Sequence, residues 1–223
     1  MLSKKEKEYI YEEVQKFAFN KSKLDDSNKI FVQMLLSKDC ATSVVKEKAT
    51  LLEIGYNTTA HMHGFDGVRE EDNRQVEVKS ETSNPDSGKY GKKLNGGAGW
   101  GTKTMATYNK LLEENPLLVH SGFTPDGKCV YVAEVEFNKT KIWEQVKKYA
   151  ESRKKGSNST TKSNFRDWEM APLTVHYFNP KYADEHMTKD FANLITSKWR
   201  ETQKDKLMQE SKEDLVELIL NGG

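Results

Sequence analysis

At 223 residues the chain is long enough for one sizeable domain with its own core. Hydrophobic residues make up 35% and charged residues 31%, and nine Phe, nine Tyr and four Trp exclude a disordered composition. A net charge of +1 leaves nucleic-acid binding to the distribution of charge, and two cysteines, Cys40 and Cys129, exclude a disulfide framework or a cysteine zinc site.

Apolar residues recur at helical spacing over 4–19, through Tyr9, Ile10, Val14, Phe17 and Ala18. Asp26-Ser27 is a cap for a second helix through Ile30, Phe31, Met34 and Leu35, so the stretch 4–38 is read as helical. A third helix is predicted at about 42–54, stopped by Gly55. Residues 60–82 carry strand character, broken by a polar turn at Glu70 to Arg74. Residues 83–101 read as loop, ending in the glycine-rich Asn95 to Gly101. A helix over 102–114 ends at Pro116, followed by a short buried strand, Leu117-Leu118-Val119. Thr124-Pro125-Asp126-Gly127 is a turn, and Val130 to Phe137 is the returning strand. A helix at 140–153 leads into the polar stretch 154–164, read as a loop. Trp168 to Phe178 reads as extended, and 188–201 as a helix with Phe191, Leu194, Ile195 and Trp199 on one face. Ser211 to Asp214 resembles a capping box for a last short helix. The pattern predicts a single α/β domain, a central mixed β-sheet flanked by helices, with helical N- and C-terminal elaborations.

The N-terminus, Met1-Leu2-Ser3-Lys4-Lys5-Glu6, lacks an apolar leader. No run approaches the ~18 apolar residues of a membrane span. A soluble, cytoplasmic protein with no membrane partner is therefore expected.

The chemistry concentrates in one hairpin, Gly64-Phe65-Asp66-Gly67 followed by Gln75-Val76-Glu77-Val78-Lys79-Ser80. On a strand, Glu77 and Lys79 project to one face while Val76 and Val78 face the core. A turn between Arg69 and Arg74 brings Asp66 beside Glu77. Two carboxylates and an ammonium are costly to gather without a reason, and a divalent metal acting on phosphodiesters is such a reason. Magnesium suits the donors, because it takes oxygen ligands and only one or two protein carboxylates.

At these residues the chain resembles the PD-(D/E)xK nucleases, to which many type II restriction endonucleases belong. The resemblance covers roughly residues 40–137. Asp66 matches the first acid, Glu77 the second and Lys79 the lysine, while Phe65 stands where the family name has proline. Many members carry a further acid on the preceding helix; Glu53 is the best-placed candidate and Glu47 the second. The resemblance implies a magnesium-dependent endonuclease cutting double-stranded DNA at a specific sequence, with Asp66 and Glu77 holding Mg2+ and Lys79 serving the attacking water. It also implies a two-fold homodimer mirroring a symmetric site. The same hairpin is compatible with a structure-specific repair or recombination nuclease, or with a non-catalytic DNA-binding module that reads through the helices of 26–54.

Gly96 to Thr104 departs from a nucleotide phosphate loop, since Thr102 separates Gly101 from Lys103. Its backbone amides with Lys103 and Thr104 can still hold a DNA phosphate, and a plain flexible loop reads equally well. Lys92 and Lys93 belong to a basic cluster, and Asn95, Lys103 and Arg166 are candidates for reading bases. His61 and His63 read as ordinary strand residues, and Trp168 and Trp199 as core anchors.

Overall fold

The computed structural model describes residues 43–59, 65–85, 92–100, 104–152, 161–163, 168 and 172–209. The expected helices of 4–38 and the last short helix lie outside the described residues, as do His61, His63, Lys103 and Arg166.

Helix α1 spans Ser43–Glu53. Strands β1 (Asn57–Thr58), β2 (Gly67–Arg69) and β3 (Arg74–Thr82) follow it and pair antiparallel in turn. The chain then makes β4 (Ala98–Trp100) and α2 (Met105–Glu114) before β5 (Leu117–Phe123), which lies parallel to β3. Strand β6 (Cys129–Glu136) returns antiparallel to β5. Helix α3 (Ile142–Ser152) and β7 (Thr161–Ser163) precede β8 (Thr174–Phe178), which pairs with β6. The short α4 (Ala183–His186) and the long α5 (Lys189–Gln209) complete the described chain. The result is a mixed six-stranded sheet in the order β1-β2-β3-β5-β6-β8 with helices packed on it, the α/β class expected from the alternation of elements. Among the described residues no helix is long and apolar enough to cross a membrane.

Two apolar layers explain the burial pattern. Period-two alternation sends Val76 and Val78 of β3 to one face, where they meet Leu51 of α1, Leu117 and Val119 of β5 and Val132 of β6. The opposite face carries the larger layer, where Leu118, Tyr131, Ala133 and Val135 pack under α2, α3 and α5. Strand β5 is buried along all seven residues, as a central strand covered on both sides should be. It runs past the predicted Val119 because its polar residues find buried partners, such as Ser121 with Thr50 at 2.7 Å. Each fully buried side chain in these layers contributes roughly 1.5–3 kcal/mol.

Three expectations change. Residues 98–100 and 161–163, both read as loop, form an antiparallel ribbon apart from the main sheet, with Gly99 opposite Lys162. Extended structure before β8 begins at Thr174, not Trp168. Helix α5 runs to Gln209 and turns Phe191 and Ile195 into the core, with Leu194 and Trp199 against it, so that this face covers the sheet.

Candidate active site

The site forms where β2 stops and β3 continues. Glycine begins β2 because space there is missing: a Cβ on Gly67 would lie 2.5 Å from the Asn57 carbonyl oxygen and 2.7 Å from Leu51 Cδ1. The ladder ends at Gly67 opposite Val76. One residue before, the Asp66 N–H still donates to the Val76 carbonyl at 2.9 Å. Among the described residues, the next outward-facing amide on that edge of β3, Val78 N–H, has no strand partner. It donates instead to Asp66 Oδ2 at 2.7 Å. The Asp66 carboxylate thus takes the place of a backbone carbonyl there.

Glu77 and Lys79 meet beside it, on the face predicted from the alternation. Lys79 Nζ donates to Glu77 Oε1 at 2.6 Å and to the Val78 carbonyl at 3.1 Å. Val78 therefore links the group, its N–H held by Asp66 and its carbonyl by Lys79. Lys48 of α1 closes the back of the site. Its ammonium donates to the carbonyls of Thr59 and Asp66 at 2.8 and 2.7 Å, pinning both ends of the segment between them.

Electrostatics show which acid on α1 joins this group. Burial pushes the Glu47 carboxyl up to about 7, and the carboxylates of Asp66 and Glu77 push in the same direction. Burial and then Glu77 also raise Asp66, although the Val78 N–H and Lys79 oppose them. Burial works against the Lys79 ammonium, but Glu77, with Asp66 and Glu47 beyond it, holds its pKa above the ordinary lysine value. Three acids thus surround one carboxylate-paired ammonium in a partly dehydrated corner. Glu53 does not take part; it is exposed and its charge is felt by Cys129 and Tyr177. Helical phase is the signal that separates the two: Glu47 sits one turn before Leu51, the α1 residue buried against Val76 and Val78.

The donor set suits a hard divalent cation, because its acids offer oxygen donors alone. Among the described residues, no three His, Cys, Asp or Glu side chains form a ready metal cluster. An ion here would meet few side-chain carboxylates and keep much of its water, the habit of magnesium and not of zinc.

The proposed DNA contacts are dispersed. Asn95 and Gly96 spend their amides inward, both donating to Glu81 Oε1, at 2.9 and 2.8 Å. Gly96 has φ 70, which turns two successive N–H groups toward one point, and the protein's own carboxylate fills that concavity. A phosphate therefore does not find these two amides free; Lys103, at the helix start, lies outside the described residues. Lys92 is exposed with its ammonium 3.4 Å from Glu81 Oε2, and the exposed Lys93 donates to the Asp184 carbonyl at 2.8 Å. Thr104 is exposed just before α2 and accepts from the Tyr108 N–H through its carbonyl. Trp168 is the core anchor expected, with its indole N–H on the Gly96 carbonyl at 3.1 Å.

Comparison with protein-family models and with curated proteins finds no match to this chain.

Proposed function

We propose that the protein is a magnesium-dependent endonuclease that hydrolyses phosphodiester bonds in double-stranded DNA, at a specific sequence and as a two-fold dimer in the cytoplasm. The observation that carries this reading is the joining of Asp66, Glu77 and Lys79 around Val78, with Glu47 added from α1. Asp66 and Glu77 would hold the cation, and Glu47 offers a third carboxylate from the helix side. Bound there, magnesium supplies Lewis-acid stabilisation of charge on the phosphate and makes water a better nucleophile.

The chain's own residues do the rest. Lys79 keeps its charge because Glu77 accepts its hydrogen bond, so it can orient water and offset negative charge developing on the phosphate. Asp66 is fixed in orientation by the Val78 amide, which limits the freedom lost when substrate binds. The β3 edge itself is rigid, with Val76 and Val78 fully buried beneath it.

The test is incubation of the purified protein with mixed plasmid and phage DNA, with and without magnesium. Discrete bands that appear only with the metal support the full reading. A smear, or cleavage at junctions alone, leaves a nuclease without sequence preference. Intact DNA in a protein that binds it removes the catalytic role.

A further inference from the structure

Glu77 and Glu81 lie four residues apart on the same face of β3, yet they serve different surroundings. The Glu81 side chain is 1% exposed. Its Oε1 accepts from Asn95 N–H, Gly96 N–H and the Tyr131 hydroxyl, the last at 3.1 Å. Its Oε2 makes no hydrogen bond and faces the Lys92 ammonium at 3.4 Å. The loop it holds is gripped again one strand over. His120, the β5 residue in register with Lys79, reaches the Gly97 carbonyl at 3.3 Å through Nε2 and the Tyr131 oxygen at 2.7 Å through Nδ1. Trp168 holds the Gly96 carbonyl from above.

Gly97 leads directly into β4, so these bonds fix the root of the β4–β7 ribbon. That root lies over the face that carries Lys79, one strand spacing, about 4.8 Å, to the side. A two-stranded ribbon is a shape the major groove of DNA admits. At Gly99, exposed and in ordinary extended backbone, an added Cβ meets nothing within 4 Å, so another molecule can approach the backbone closely there.

We propose that Glu81 is a positioning residue: its carboxylate fixes the root of the β4–β7 ribbon against the catalytic strand and so sets where the ribbon meets a bound duplex. This rests on the nuclease reading above. Glu81 touches neither the substrate nor the cation; it acts through the loop.

The experiment compares wild type, Glu81→Ala, Glu81→Gln and Tyr131→Phe on a duplex containing the cleaved site, with magnesium, by KM, kcat and amide hydrogen exchange over 94–100. Glu81→Ala raises KM about tenfold, the size of a lost charge-assisted hydrogen bond, with kcat within about twofold, and speeds exchange of the Asn95 and Gly96 amides. Glu81→Gln keeps the Oε1 acceptor and restores both KM and protection. Tyr131→Phe removes one donor and shifts KM in the same direction by less, which keeps the test decisive should Glu81→Ala fail to fold. Loss of kcat in Glu81→Gln matching that of Glu77→Gln overturns the inference, because the carboxylate would then be doing chemistry. Unchanged KM in both Glu81→Ala and Tyr131→Phe overturns it too. If wild type leaves DNA unbound and uncut while Glu81→Ala still loses protection, the nuclease reading is what failed.

Discussion

Two carboxylate centres on one sheet, one around Glu134 and one around Asp66, have opposite electrostatic character. On the α1 face, Glu134 of β6 accepts from the Tyr56 hydroxyl at 2.6 Å, from His176 at 3.1 Å and from Arg69 at 3.2 Å. Burial alone would raise its pKa, but the hydrogen bonds from His176 and Tyr56, with the Arg69 charge, hold it below the ordinary glutamate value. Across the sheet edge, Asp66 and Glu47 are held above theirs. The first centre is a finished clasp that ties β2, β6, β8 and the end of α1 together. The second gathers Asp66, Glu77 and Glu47 about the Lys79 ammonium, with Lys48 behind them, and two of its acids are pushed toward the protonated form. A buried acid with a full set of donors is architecture; acids pushed up by burial and by one another mark a candidate site for chemistry.

The largest effect expected from that contrast is on cleavage. Asp66→Asn, Glu77→Gln and Lys79→Ala should each lower the rate about a hundredfold or more in a folded protein, read as initial rates on plasmid with thermal melts as control. Asn at 66 keeps an acceptor for the Val78 amide, so loss of activity there reflects charge and not a broken hairpin. Full cleavage by folded Lys79→Ala would sink its assigned role. Next is Glu134→Ala, which removes the acceptor shared by Tyr56, His176 and Arg69 and should cost about 1–2 kcal/mol by denaturant unfolding without touching the cleavage chemistry, Arg69 keeping Asp72. A cost near zero would mean the clasp is not a clasp.

Acidity gives a signed effect. The Glu47 carboxyl is raised from 4.5 to about 7 in the fold, so the stability it contributes is complete below 4.5 and is lost as pH rises toward 7. Raised Asp66 acts in the same sense, whereas the lowered Glu134 costs stability only as pH falls through the acid range. In metal-free protein, Glu47→Gln should therefore gain over wild type between pH 5 and pH 8, on the order of 1–2 kcal/mol, or about 2–6 °C in Tm. Magnesium should raise the wild-type Tm more at pH 8 than at pH 5, since protons compete for the same oxygens. A gain that shrinks with rising pH would contradict the sign. Smallest of all, Glu53→Gln should leave both rate and Tm within error.

The hairpin was legible because it is local. Alternation separates Glu77 and Lys79 from Val76 and Val78, and a polar turn places Asp66 next to them, all within one stretch of chain. The choice between Glu47 and Glu53 was not, because it depends on how α1 is rotated over a sheet whose strands come from elsewhere. The β4–β7 ribbon was hidden for a related reason: Ala98 to Trp100 and Thr161 to Ser163 are short, glycine-rich or polar, and pair across more than sixty residues. Glu81 and His120 belong to no sequence motif, since what gives them meaning is a loop folded back over β3 and β5. The mixed sheet itself was readable from long, strongly patterned strands such as β3 and β6.

The parallel pairing of β3 with β5 has one more effect. Two strands running the same way cannot be joined by a tight turn, so the chain leaving Thr82 must travel back across a face of the sheet before it re-enters at Leu117. The described part of that passage, β4 and α2 included, packs on the side of the sheet that carries Leu118 and Tyr131. Insertions or deletions in this one excursion would alter what lies over that face while the strand register beneath, Val76 opposite Leu117 through Thr82 opposite Phe123, stays as it is.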